Sequence, residues 1–199
     1  MKILLGTTSK YKRALFNKLG LEYEVANPNF NEKLFLQENP DLIPIQYSEV
    51  LAKKKAMSLA KDHTDMLIIG SDQVCLMGNE VFHKSGDYEG ALKTLLKLNG
   101  KTHQLYTSYY IYSCEKTTQY TNVTNLTMHD LEIEEIKRYI KLDQPYDCAG
   151  SYKLESYGAT LFKKIETEDH HCIIGLPLLN LAKDLRALGI TNFLGTHYE

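Results

Sequence analysis

The sequence predicts an α/β protein built on a mixed sheet, in one unit or two lobes. Three observations carry that expectation. Short apolar runs lead into small polar residues and then an amphipathic helix, as Lys2–Leu5 does before Lys10–Leu19. Two long segments, His103–Ser113 and Tyr120–Met128, are rich in Tyr, Thr, Ile and Val and read as antiparallel strands. The chain has 199 residues, 43% apolar and 24% charged, values of an ordinary globular domain rather than a disordered or fibrous one.

The elements follow in order. Lys2–Leu5 reads as a buried strand running into Gly6-Thr7-Thr8-Ser9. Tyr11, Leu15 and Leu19 recur at helical spacing, with Ser9 or Thr8 as cap and Gly20 as stop. Leu21–Val25 alternates as a second strand, and the Pro- and Asn-rich stretch from Asn27 to Pro44 reads as a long loop. Tyr47–Ala60 is the next helix. Met66–Gly70 is a buried strand ending at Ser71-Asp72-Gln73, and Val74–Met77 and Glu80–Phe82 form a hairpin across Gly78-Asn79. Asp87–Leu98 and Ile133–Ile140 are helices, with the two Tyr-rich strands between them. Cys148–Ser156 is a polar turn region. Gly158–Lys164 is open to either reading. Cys172–Gly175 reads as a strand, and Leu178–Leu188 as a final amphipathic helix.

Composition excludes several classes. With 23 basic and 25 acidic residues the formal net charge is −2, which leaves no bulk footprint for DNA, RNA or an acidic membrane. No apolar run is long enough for a signal peptide or a membrane helix, so a cytoplasmic protein is expected. The four cysteines form no C-x-x-C pair and are expected to be reduced, buried thiols. Tyr is abundant at 14 and Trp is absent, so buried hydroxyls should find polar partners in the core.

Four places combine charge with a strand end or helix start. At Gly6–Arg13 small hydroxyl residues and the cations Lys10, Lys12 and Arg13 meet a helix N-terminus, which suits a phosphate; a capped helix with solvated cations is the alternative. Asp72, beyond a buried strand, can hold a divalent cation or take a proton from water, or close an Asx turn. On the Tyr47–Ala60 helix, Lys54 lies opposite the Ala52, Ala56 core face, and Lys53 and Lys55 flank that face equally; periodicity does not choose between them. In Asp147–Glu155 small residues let backbone approach a ligand, and Glu155 can accept from a base. The adjacent His170 and His171 are expected to be exposed loop histidines rather than metal ligands.

Taken together these segments resemble the Maf family of nucleoside triphosphate pyrophosphatases. Leu5-Gly6-Thr7-Thr8-Ser9-Lys10-Tyr11-Lys12-Arg13-Ala14-Leu15 matches its opening LASxSPxRRxLL, and Asn31-Glu32 its DE. Leu51-Ala52-Lys53-Lys54-Lys55-Ala56 matches LAxxKA, which selects Lys55, and Gly70-Ser71-Asp72-Gln73-Val74 matches G[AS]D[TQ]V. Lys84 falls on the lysine of LGKP. Asp147–Gly158 and Ile174–Leu178 match CAGS[FY]KxEGxG and VGLPL, so the ordered set covers essentially the whole chain.

The resemblance implies an elongated mixed sheet with flanking helices, one domain over residues 1–199 with two lobes around a deep cleft, similar to inosine triphosphate pyrophosphatases. It implies cleavage of a nucleoside triphosphate between the α and β phosphates with Mg²⁺, Mn²⁺ or Co²⁺, with no nucleic acid polymer or membrane as partner and a homodimer by family habit. Asp72 and Glu32 would be the catalytic and metal-binding carboxylates, Asp72 also activating water. Ser9, Lys12, Arg13, Lys55 and Lys84 would bind phosphate, and Tyr11, Gln73 and Glu155 would recognise the base. Gln73 and Glu155 look like the 7-methyl-GTP branch; the dTTP/UTP/CTP branch, or a catalytically weak regulator of cell division, is the alternative. The chain departs from the family pattern at Lys10 (for Pro), Tyr11 (for Trp), Lys12 (for Arg), Asn31 (for Asp) and Ser156 (for Gly).

Overall fold

Among the described residues seven strands, β1 (Lys2–Gly6), β2 (Glu24–Ala26), β3 (Met66–Met77), β4 (Glu80–Phe82), β5 (Thr102–Tyr112), β6 (Thr117–Met128) and β7 (Phe162–Glu166), pair in the order β2-β1-β3-β5-β6-β7, with β4 on β3. The computed structural model describes residues 1–114 and 116–195. The chain divides into two units: Met1–Asp72, Thr107–Asn122 and Asp169–Glu199 form the first, Gln73–Tyr106 and Val123–Glu168 the second. Among the described residues no helix is long and apolar enough to cross a membrane.

In the first unit β1 (Lys2–Gly6) runs parallel to β2 (Glu24–Ala26) and to β3 (Met66–Met77), with Leu4 opposite Ile68 and Leu5 opposite Ile69. Strand alternation then sorts the core. Ile3, Leu5, Leu67 and Ile69 cluster with Leu15 and Phe16 of α1 (Lys10–Asn17) and with Leu181 and Leu185 of α7 (Leu178–Ala187). Leu4, Met66 and Ile68 cluster with Ala52 and Ala56 of α3 (Tyr47–Met57) and with Leu59. A Cβ on Gly70 would lie 2.2 Å from the Ala52 carbonyl oxygen and 2.6 Å from the Ala56 nitrogen. Helix α3 therefore lies on β3 only because residue 70 carries no side chain.

The second unit adds the hairpin partner β4 (Glu80–Phe82), turned at Gly78 with φ 60°, and β7 (Phe162–Glu166), antiparallel to β6 (Thr117–Met128). Asp87 caps α4 (Tyr88–Leu98), its carboxylate accepting from Gly90 N at 2.8 Å. Helix α5 (Ile133–Asp143) buries Ile136, Tyr139 and Ile140 and ends at Gln144 with φ 44°. Strand β5 (Thr102–Tyr112) is buried along most of its length.

The expected polar partners of the tyrosines are present. Tyr109 OH donates to Asp184 Oδ2 at 2.5 Å, and Tyr139 OH accepts from Lys153 N at 2.9 Å.

Four expectations need correction. The stretch from Asn27 to Pro44 is not all loop: Asn31 caps a helix, α2 (Glu32–Glu38), by accepting from Leu34 N at 3.0 Å. Cys172–Gly175 is not a strand: α6 (His171–Ile174) forms, with the Asp169 carboxylate accepting from His171 N at 2.9 Å and Gly175 at φ 125° ending the helix. The strand expected to stop at Gly70 continues to Met77, so Asp72 lies inside β3, not beyond it. The cysteines are all free, but only Cys75 and Cys172 are buried; Cys114 is exposed and Cys148 half-buried, since each sits at a turn. Gly158–Lys164 resolves into a 3-10 turn, Tyr157–Leu161, followed by β7.

Candidate active site

Helix α3 and strand β3 bring two of the expected site residues together. Gly70 lets the backbones approach, and Asp72, two residues on, points to the α3 face. Lys55 Nζ donates to Asp72 Oδ1 at 2.5 Å and lies 2.9 Å from Glu32 Oε1. The Asp72 and Lys55 side chains are 10% and 14% exposed and that of Glu32 is 48% exposed, so the trio opens to solvent on the Glu32 side. Burial alone would lower the Lys55 pKa; the carboxylates of Asp72 and Glu32 outweigh it and hold the ammonium above its ordinary value. Lys53 and Lys54 are exposed, their ammonium groups over the rings of Tyr110 (5.7 Å) and Phe35 (5.0 Å). The structure thus separates Lys55 from Lys53, which periodicity could not do.

The start of α1 supplies the second group. Ser9 Oγ caps the helix, accepting from Lys12 N at 3.4 Å, while Ser9 N donates to Thr7 Oγ1 at 3.1 Å. Lys12 is buried, and its Nζ donates to the Ser71 carbonyl at 2.8 Å, next to Asp72. Arg13 is exposed. Tyr11 is half-buried, with Lys10 Nζ 5.0 Å from its ring centroid.

The remaining expected residues belong to the second unit. Gln73 is half-buried in β3. Lys84 is exposed and its backbone pairs with Ala149, which joins the lysine segment to the small-residue loop. Glu155 is exposed at the tip of a turn. That turn is tied to the end of α5: Lys153 Nζ donates to Asp143 O (2.6 Å) and Ser156 Oγ to Asp143 Oδ1 (2.6 Å).

Beneath this loop lies a neutral buried cluster. Tyr152 OH pairs with His103 Nε2 at 2.9 Å, and a Cβ on Gly150 would lie 3.1 Å from Cys75 Sγ. Burial depresses His103 to about 4 and pushes Cys75 up to about 12.

Ser151, inside the expected Asp147–Glu155 segment, sits at φ 61°, a backbone form that non-glycine residues rarely adopt, with its hydroxyl buried and without a partner among the described residues. Asp169 accepts from His171 N and from Leu179 N (2.8 Å), and its Oδ1 lies 2.7 Å from His171 Nδ1. Asp169 thus ties the start of α6, and His171, expected to be an exposed loop histidine, is instead a half-buried helical residue beside Asp169, while His170 is exposed.

The donor chemistry fits a divalent cation. Asp72 Oδ1 and Glu32 Oε1 reach the same ammonium, so two hard oxygen donors already converge on one cationic centre. Two carboxylates completed by phosphate oxygens are a donor set of the kind Mg²⁺ uses. Among the described residues no group of three or more His, Cys, Asp or Glu converges.

The chain is similar to known proteins along most of its length. The 7-methyl-GTP pyrophosphatase of Bdellovibrio bacteriovorus is 38% identical over 184 residues, covering 92% of this chain and 95% of that protein. That of Hahella chejuensis is 40% identical over 190 residues, covering 94% of each. That of Colwellia psychrerythraea is 35% identical over 190 residues, covering 94% and 93%. Among solved structures, a nucleoside-triphosphatase (dITP/XTP pyrophosphatase) from Mycobacterium abscessus is 13% identical over 95% of this chain and 97% of its own. Its TM-score of 0.44 is too low to carry a conclusion about fold. The family model described as Maf-like protein matches residues 2–188, and this chain belongs to that family.

Proposed function

We propose that this protein is a nucleotide pyrophosphatase that hydrolyses the α–β phosphoanhydride of 7-methyl-GTP, releasing the monophosphate and pyrophosphate. The observation that carries the reading is the convergence of Asp72 and Glu32 on one cationic centre, in a Maf-like chain whose relatives are named for that activity. Asp72 would accept the proton of the attacking water, and Asp72 with Glu32 would hold a divalent cation, Mg²⁺, Mn²⁺ or Co²⁺. When bound, that ion supplies charge neutralisation and a lowered water pKa.

Ser9, Lys12, Arg13 and Lys55 in the first unit, and Lys84 in the second, neutralise phosphate charge, which is most of what a protein contributes to phosphoryl chemistry. Glu155, with Gln73, receives the paired N1–H and N2–H donors of guanine, and Tyr11 offers a ring face to the cationic methylated base. The two units work as one domain, a reading that the family match across both supports. We place the enzyme in the cytoplasm.

The test is pyrophosphate release from 7-methyl-GTP, GTP, UTP, CTP and dTTP with Mg²⁺ or Mn²⁺. Hydrolysis of 7-methyl-GTP well above GTP, lost in Asp72→Asn, is the expected result. A pyrimidine preference would keep the reaction and refute the role of Glu155. Binding without any release would refute the enzyme.

A further inference from the structure

Lys55 is asked to do two things that conflict. It is a phosphate-binding cation in the proposed reaction, yet its ammonium is engaged by the two carboxylates assigned to the metal, at 2.5 and 2.9 Å. An ammonium has three N–H donors and no acceptor, and two of them are committed here. A divalent ion needs the same carboxylate oxygens. Two carboxylates, one ammonium and one dication sum to a net +1, with two like charges on shared ligands. Triphosphate oxygens remove the conflict by giving the ammonium somewhere else to go.

We propose that Lys55 is the gatekeeper of the cation site: it neutralises Glu32 and Asp72, competes with the divalent ion for their oxygens, and turns to the substrate phosphates when that ion binds. The proposal rests on the reading of Glu32 and Asp72 given above. It makes cation and nucleotide binding mutually reinforcing, since each removes what the other must displace. It also gives Lys55 a positioning role. Helix α2, which carries Glu32, buries none of its own residues, so the Lys55 bridge is one of its ties to the unit. The contact of Lys54 with the Phe35 ring at 5.0 Å is another, and does not involve Lys55.

Mn²⁺ affinity, read by electron paramagnetic resonance, tests this without turnover. Lys55→Met should bind Mn²⁺ roughly tenfold more tightly than the unsubstituted protein, a coupling of ordinary size. An α,β-methylene GTP analogue should tighten Mn²⁺ binding in the unsubstituted protein by a larger factor than in Lys55→Met. Equal or weaker Mn²⁺ binding by Lys55→Met overturns the proposal.

A second readout needs no variant. Acylation of Lys55 by an amine-reactive reagent, followed by mass spectrometry, should speed up when Mg²⁺ is added, because the ion displaces Lys55 from its carboxylates and a displaced ammonium gives up a proton to solvent more readily, leaving the neutral amine that attacks the reagent. Unchanged or slower labelling overturns the proposal. The Glu32→Gln, Asp72→Asn double variant separates the two layers of the argument. If it binds Mn²⁺ as well as the unsubstituted protein, the metal assignment itself is wrong. If it loses Mn²⁺ while Lys55→Met gains nothing, the assignment stands and the gatekeeping role alone fails.

Discussion

Two buried clusters, one in each unit, treat their titratable groups in opposite ways. In the first, Lys55 is largely buried yet keeps its charge, because Asp72 and Glu32 supply more stabilisation than burial removes. In the second, His103, Cys75 and Tyr152 are buried with no counter-charge against them. Burial pushes His103 down to about 4, Cys75 up to about 12 and Tyr152 well above its ordinary value. Burial of similar depth therefore preserves ionisation in one place and abolishes it in the other, and the neighbours decide which. A site of the kind proposed for phosphate and metal needs fixed charge. A loop scaffold that stays the same across physiological pH is better built from neutral groups.

The largest expected effect breaks the charged side. Asp72→Asn should lower turnover by roughly a thousandfold, since it removes a proton acceptor and a metal ligand together. The fold should survive, because Lys55 retains Glu32. Circular dichroism and thermal melting check that. A turnover within tenfold of the unsubstituted protein would show that Asp72 does not activate water.

Next comes the packing that creates the charged side. Gly70→Ala places a methyl group against the backbone of α3, where no flexible side chain can yield. A destabilisation of about 3 to 4 kcal/mol is expected, at the upper end for overpacking. Urea unfolding measures it, and a loss below about 1 kcal/mol would mean that α3 shifts off β3 at little cost.

The neutral side is tested through pH. His103 titrates near its ordinary 6.5 when unfolded and at about 4 when folded. Between these values the unfolded chain binds more protons, so stability should rise with pH from about 4 to 6.5 and level off above. The full span is on the order of 3 kcal/mol. His103→Gln should flatten that segment of the stability profile. A variant with the same slope would place the pH dependence elsewhere.

How much of this the sequence disclosed depends on what each residue needed. Helix α1 was legible because its cap, Ser9, and its buried Leu15 and Phe16 are local. Helix α2 was not, because it buries nothing and leaves no apolar period to read. The four-residue run Cys172–Gly175 fits strand and helix equally, and only the Asp169 tie settles it. Lys55 and Lys53 flank the core face of α3 alike, so pattern within the helix could not separate them. The choice depends on Gly70 admitting α3 to β3, a contact between segments distant in sequence. The Lys12–Ser71 bond spans 59 positions and had no local signal at all. Motif order supplied what local physics lacked, by naming Lys55 through resemblance.

The smallest expected effect sharpens the neutral side at its edge. Ser156 stands where the family carries glycine, and its hydroxyl donates to Asp143 Oδ1 at 2.6 Å. Asp143 is buried, and its Oδ2 is without a partner among the described residues. Removing the donor therefore leaves a buried carboxylate less satisfied, which costs more than an ordinary surface hydrogen bond. Ser156 itself is exposed, so water recovers part of the loss, and Ser156→Ala should destabilise by about 1 kcal/mol. Its effect on catalysis should be read in KM rather than kcat. The turn it secures carries Glu155, assigned to the base, and none of the groups assigned to the phosphates. A fall in kcat with KM unchanged would tie this turn to the chemical step rather than to the base.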